Sequence, residues 1–243
     1  MQISQGFILA AGRGKRMLHL TDDKPKPLVQ VAGKSLIDYN VEHLLKAGIK
    51  NCVVNLCYKG EMIRQHLLKA YPMMNFVFSP EDVALETGGG IQNALPLMRD
   101  EPFFVINSDA LWTDDNEHLL KAMRQSWQPQ NHDILLMMQP VEKAFGCHAN
   151  GDYSINEHGK PVRRRNSETK APYLYGGVMI CHPHVFEKEE AGCYSMVRVF
   201  DRLEQEGRLG AYIHQGQWFH VGDPNATEIA EKHFSQSDYK ACL

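Results

Sequence analysis

The sequence predicts an α/β fold: a mainly parallel sheet with helices on both faces and a smaller C-terminal elaboration. Three observations carry this. Short apolar runs alternate with amphipathic helical periods through residues 1–139, as βαβ units require. The first apolar run ends directly in a glycine loop containing Gly12 and Gly14. After Pro140 the alternation gives way to turn-rich segments.

In chain order, strands are predicted at 6–11, 51–56, 75–79, 103–107 and 133–139, and helices at 35–47, 60–70, 90–98 and 116–126. In the first helix Leu36, Ile37, Val41, Leu44 and Leu45 make one apolar stripe, and Gly48 is a natural stop. Asp114 and Asp115 read as the cap of the fourth helix. Beyond Pro140, Asn150-Gly151-Asp152 and His158-Gly159-Lys160-Pro161 mark tight turns and a hairpin within 146–165. A strand at 174–181, a helix at 195–206, a strand at 218–221 and a closing helix at 226–235 follow. No repeat or long linker divides the chain, so residues 1–243 are expected to form one domain, with its core in 1–139 and its closing elements in 140–243.

Composition narrows the function classes. A hydrophobic content of 43% and a charged content of 23% suit a globular chain. A formal net charge of -3 argues against a general nucleic-acid or membrane-surface binder, because the cations are local rather than spread. No apolar run approaches the ~20 residues that span a bilayer, and residues 3–11 lack the pattern of a signal peptide. Cytoplasmic residence is the expectation. The six cysteines have no Cys-x-x-Cys spacing and read as free thiols.

The chemistry concentrates in a few segments. Gly12 and Gly14 let the backbone turn sharply and approach a ligand, while Arg13, Lys15 and Arg16 add positive charge to an anion-binding concavity. The loop is neither a dinucleotide fingerprint, since position 17 is Met, nor a P-loop, since the Gly-Lys-Ser/Thr spacing is absent. Further on, Pro25 and Pro27 restrict the backbone around Lys26 and help to aim its ammonium. A phosphate-rich ligand explains both. In Glu86-Thr87-Gly88-Gly89-Gly90 the glycines are expected to bring the backbone close to a planar or sugar group, just before a helix whose first N–H groups are free.

Asn107-Ser108-Asp109 ends an apolar strand, and Asp109 there is a natural Mg²⁺ ligand opposite a phosphate loop. A second ligand is expected from Trp218-Phe219-His220-Val221-Gly222-Asp223, either His220 by strand alternation or Asp223 from the turn. Asp223-Pro224 also reads as a plain helix cap followed by proline at the first helical position. Arg163 and Arg165 are expected to point the same way along a strand, available for a second phosphate.

Together, Leu9-Ala10-Ala11-Gly12-x-Gly14-x-Arg16-Met17, Pro25-Lys26-Pro27-Leu28, Glu86-Thr87-Gly88-Gly89-Gly90 and Asn107-x-Asp109 resemble the sugar-1-phosphate nucleotidylyltransferase family. The likeness runs from Phe7 to about Glu231. It implies a Rossmann-like α/β core and transfer from a nucleoside triphosphate to a sugar 1-phosphate with release of pyrophosphate, using Mg²⁺. UTP and N-acetylmuramate 1-phosphate of cell-wall recycling are the expected substrates. The alternatives are a guanylyl- or other nucleotidylyltransferase for mannose or heptose 1-phosphate, or a nucleotide-sugar-binding regulator with impaired catalysis. The expected assembly is a monomer or small homo-oligomer.

By matching positions, the resemblance implies that Ala11, Gly12, Arg13, Gly14, Thr87 and Gly88 hold the nucleotide and that Arg16 grips the triphosphate. It places Lys26 on the α-phosphate and Asp109 on the metal, it makes the C-terminal elaboration sugar-binding through Gly146 and Gly177, and it adds Asn107 of the core to the substrate contacts. The family's Glu-Lys-Pro phosphate motif has no match, and its role falls to Arg164 or Arg165. Where the family has Trp-x-Asp-x-Gly-Thr, this chain has His220 and Asp223 in place of the carboxylate and the threonine. Three readings of the metal site follow: His220 as ligand, Asp223 as substitute, or a weakened site.

Overall fold

The computed structural model describes residues 3–114, 117–147 and 150–236. Asp115 and the first residue of the predicted fourth helix lie outside the described residues. The strands are β1 Gln5–Leu9, β2 Gln30–Val31, β3 Lys34–Ser35, β4 Asn51–Leu56, β5 Asn75–Pro80, β6 Phe103–Asn107 and β7 Ala110–Trp112. They continue as β8 Ile134–Pro140, β9 Ala144–Phe145, β10 Tyr153–Ile155, β11 Pro161–Arg163, β12 Tyr173–Cys181, β13 Leu209–Ile213 and β14 Trp218–His220. The helices are α1 Leu36–Lys46, α2 Gly60–Ala70, α3 Glu86–Ala94, α4 Leu119–Ser126, α5 Val197–Gln205 and α6 Pro224–Gln236.

One nine-stranded sheet organises them. β5, β4, β1 and β6 run parallel in that spatial order, and β12 then pairs antiparallel with β6, β8 and β10. β12 joins the two halves of the chain in one sheet, so the C-terminal half is woven into the core rather than appended to it. β10 and β11 form the predicted hairpin, in register Tyr153↔Arg163.

Period-2 alternation sorts the core. Ile8, Phe104, Ile106, Leu135 and Met137 face the cluster shared with α1, α2 and α4. Phe7, Phe103, Val105, Ile134, Leu136 and Met138 face the opposite cluster, shared with α3 and α5. Helices therefore cover both faces, as the apolar runs predict. A third cluster, with Met17, Leu111, Phe219 and Phe234, lies between α6 and the small sheet β7–β14–β9.

Local chemistry sets the helix ends. Ser35 and Asp38 form a capping box at α1, with the Ser35 N–H donating to Asp38 at 3.2 Å. Gly48, at φ +76°, ends that helix. The largest departure is α3. The sequence predicts a helix over 90–98 that begins at the third glycine, but all three sit inside Glu86–Ala94, and Pro96 falls in the short 3₁₀ turn that follows. Packing overrides propensity here. A Cβ at Gly88 would overlap Tyr194, one at Gly89 the Gly192 carbonyl, and one at Gly90 would lie 2.8 Å from Asn55 and from Glu81.

Sequence reasoning missed β13, which pairs parallel with β8 from Leu209↔Ile134 to Ile213↔Met138. It also missed β7 and the two-residue turn Ala32-Gly33 between β2 and β3. These segments are too short to show a period.

Candidate active site

The carboxyl ends of β1 and β6 open into a cleft of about 380 Å³, lined by residues that include Ala11, Gly12, Gly14, Lys15, Arg16, Lys26, Thr87, Asn107 and Asp109. Adjacent parallel strands β1 and β6 carry their loops to the same edge, which puts Gly12 opposite Asp109.

Gly14 is at φ +67°, and a Cβ there would come within 2.7 Å of the Lys26 Cβ. Its glycine identity is thus what lets the lysine stem pass behind the loop. Lys26 is 8% exposed, and its Nζ donates to Asp109 Oδ2 at 2.6 Å. An ammonium has three donors. One is on Asp109, and a ligand in the cleft can take the others. A Cβ at Gly12, by contrast, would meet nothing within 4 Å.

The small sheet supplies the far wall. β14 runs antiparallel to β7 with His220 opposite Ala110, and the Val221 N–H donates to the Asp109 carbonyl at 2.9 Å. His220 Nδ1 thereby stands 4.0 Å from Asp109 Oδ2, and its Nε2 is 3.4 Å from Arg16 Nη2. Burial pushes the Asp109 carboxyl up, but Lys26 and His220 outweigh it and hold it below the usual carboxylate range. Burial lowers His220 against the pull of Asp109, which favours the neutral imidazole.

The structure engages five of the predicted positions away from a ligand. Asp223 caps α6: its Oδ1 accepts the Ala226 N–H at 2.8 Å, and Pro224 occupies the first helical position. Asp109, His220 and Asp223 do not bring three ligand atoms within 4.8 Å of one another. Gly88 does not offer its N–H to the cleft, because both Gly88 and Gly89 donate to the Tyr194 carbonyl. Arg165 pairs with Asp201 and Glu204, and Arg163 also binds Asp201, so neither guanidinium is free for a second phosphate. Arg164 is held by the carbonyls of Gly151 and Asn166.

The remaining expected residues surround the cleft or support it. Arg13 stacks over Tyr58 at 5.3 Å, beside the loop rather than in the cleft. Thr87 lines the cleft while its Oγ1 accepts the Met196 N–H. Gly177, at φ +73°, lies behind Asn107, and Gly146, at φ +74°, lies against the His220 carbonyl. Both shape the cleft from behind.

Sequence reasoning missed Asn55 and Glu81, both buried on the cleft wall. Asn55 Oδ1 accepts the Ala10 N–H at 2.7 Å, its amide donates to Glu81, and Glu81 accepts the Leu85 N–H at 2.9 Å. This chain ties the glycine loop to the start of α3. A polar residue inside the apolar run 51–56 was the available signal.

For a divalent ion the donor set is one carboxylate and one imidazole. Mg²⁺ binds through one or two carboxylates together with substrate phosphates and water. Asp109 fits that demand, while Asp223 is occupied by its helix and His220 offers nitrogen rather than oxygen.

Fold and site together define a protein that handles phosphate groups at the carboxyl edge of a parallel sheet. A profile of the nucleotidyl transferase family matches residues 5–237. The N-acetylmuramate alpha-1-phosphate uridylyltransferase of Caulobacter vibrioides is 37% identical over 235 residues, 95% of this chain and 97% of its own length. The enzyme of that name from Neisseria meningitidis serogroup B is 35% identical over 225 residues, 90% of this chain and 93% of its own. The crystal structure of HddC from Yersinia pseudotuberculosis complexed with GMP-PN shares the fold, with a TM-score of 0.76 at 24% identity, over 96% of this chain and 100% of that one. The chain belongs to the nucleotidyl transferase family, as a sugar-1-phosphate nucleotidyltransferase.

Proposed function

We propose that the chain transfers a uridylyl group from UTP to N-acetylmuramate 1-phosphate in peptidoglycan recycling, in the cytoplasm and with Mg²⁺. The observation that carries this reading is the buried Lys26 ammonium held 2.6 Å from Asp109, directly beneath the glycine loop. The substrates rest on the two relatives of that name.

A phosphate oxygen of the sugar 1-phosphate attacks the α-phosphorus of UTP in line. A new phosphorus–oxygen bond forms, the α–β bridge breaks, and pyrophosphate leaves with its electron pair. The nucleophile is already ionised, so no general base is required. Catalysis then consists of bringing two polyanions together and neutralising charge as it moves. Lys26 turns its free donors to the α-phosphate, and Arg16 holds the triphosphate. The loop at Gly12 leaves room for the nucleotide, and Asn107, backed by Gly177, faces the sugar phosphate. Asp109 would hold Mg²⁺, which when bound supplies positive charge to the phosphates.

Pyrophosphate release is the test, measured across the four nucleoside triphosphates against N-acetylmuramate, mannose and heptose 1-phosphates. Release with UTP and N-acetylmuramate 1-phosphate alone supports the reading. Preference for GTP with mannose or heptose 1-phosphate replaces it with the guanylyl alternative, and nucleotide binding without release replaces it with a regulator. Lys26→Ala should lower turnover by about 10²-fold or more, with circular dichroism unchanged.

A further inference from the structure

On the side of the sheet occupied by α1 and α4 lies a cluster that the transfer reaction does not use. Asp114 Oδ2 stands 3.9 Å from His43 Nδ1 and 3.9 Å from His118 Nε2. One atom from each of the three residues lies within 4.8 Å of the other two. His43 is 2% exposed and its ring stacks on Trp112 with centroids 4.0 Å apart. All four ring nitrogens of His43 and His118 are buried without a hydrogen-bond partner among the described residues. A buried polar atom left unpaired costs about 1–3 kcal/mol, and a single ion would take up one nitrogen from each ring.

We propose that His43, Asp114 and His118 form a binding site for a divalent transition-metal ion of the Zn²⁺ class, separate from the nucleotide cleft. The donor set is two imidazoles and a carboxylate, which suits zinc and its neighbours rather than Mg²⁺. Bonds of about 2.0–2.1 Å in tetrahedral geometry put donor atoms about 3.4 Å apart, so the two 3.9 Å separations from Asp114 must contract by about 0.5 Å and the two ring nitrogens, within 4.8 Å of each other, must close as well. The other carboxylate oxygen, Asp114 Oδ1, accepts the Leu119 N–H at 2.9 Å, which orients Oδ2 toward the rings. Burial lowers both histidines from their ordinary value, against the pull of Asp114 on His118. Water completes the coordination. The ion clamps α1 to the far end of β7, the strand that begins one residue after Asp109.

The full chain, stripped with a chelator, is titrated with Zn²⁺ against a chromophoric competitor and with Co²⁺ by visible absorption. One Zn²⁺ per chain is expected at protein concentrations on the order of 10 µM, together with the intense visible bands of four-coordinate Co²⁺. Binding should survive Asp109→Asn, which removes the Asp109 carboxylate from the cleft. It should weaken in His118→Gln and in Asp114→Asn by more than the roughly 10–100-fold that losing an outer-shell partner costs. Circular dichroism of the metal-free variants checks their fold, and the wild-type Co²⁺ spectrum carries the test without any substitution. Two results overturn the proposal: a wild-type chain that retains no Zn²⁺ and shows no Co²⁺ bands, or an ion lost in Asp109→Asn and kept in His118→Gln.

Discussion

Gly14 offers a direct trial of the idea that backbone geometry aims the catalytic lysine. Gly14→Ala acts twice. At φ +67° an L-residue costs about 1–2 kcal/mol, which for a chain of 243 residues lowers the melting temperature by about 2–8 °C. The new Cβ would also stand 2.7 Å from the Lys26 Cβ, and the stem must retreat by about 0.7 Å to an ordinary contact of 3.4 Å. That shift is carried toward an ammonium now 2.6 Å from Asp109. A misplacement of about 1 Å can cost 10²-fold in rate, so kcat should fall by roughly 30–100-fold, about 2–3 kcal/mol of barrier. Gly12→Ala is the control. Its Cβ has open space and its φ is not positive, so stability should stay within about 0.5 kcal/mol. If the nucleotide fills that space, KM for the triphosphate rises. Calorimetry and pyrophosphate release read both effects. A Gly14→Ala enzyme with kcat within twofold of the parent would refute the claim that this glycine positions Lys26.

Three further outcomes follow from the geometry. Asp223→Ala removes the Ala226 cap and should cost about 1 kcal/mol, largely recovered in Asp223→Ser. The Mg²⁺ concentration for half-maximal activity should not move, and a large rise would return Asp223 to the metal. Arg165→Ala should leave KM for the sugar phosphate within twofold, because that guanidinium serves Asp201 and Glu204; a tenfold rise in KM would contradict its assignment. His132 is lowered to about 4 by burial, with Lys160 and Arg208 adding to the shift, and its Nε2 accepts the Gln128 N–H at 3.0 Å. A folded value below the unfolded 6.5 means that the unfolded chain binds the proton first, so stability is lost as pH falls from 6.5 to 4. The loss is about 3 kcal/mol over that window, and His132→Gln should flatten the melting temperature against pH there; an unchanged slope would reject this.

Much of the fold was legible in the sequence, because each signal was local. Apolar alternation marked the strands that later sort into two core faces, and Ser35, Gly48 and Pro224 marked helix ends through their own backbone chemistry. The glycine loop and Asp109 were legible as strand-end residues, since parallel strands carry their loops to one edge. The three glycines of α3 misled, because their reason lies outside the segment: Tyr194 and Gly192, about a hundred residues away in sequence, for Gly88 and Gly89, and Asn55 and Glu81 for Gly90.

What only tertiary structure decided is which groups meet. Antiparallel pairing of β14 with β7 brings His220 beside Asp109, and the same turn commits Asp223 to its helix. The acids of α5 take up Arg163 and Arg165, which strand alternation alone left free. Asn55 and Glu81 became part of the cleft, and His43, Asp114 and His118 became a cluster, only when distant elements packed. By itself the sequence determined the elements and the phosphate-facing loop, since these depend on residues close together in the chain, and its motifs implied the class of reaction through their resemblance to a known family. Partnership between charged groups depends on distance in space, and no local pattern encodes it.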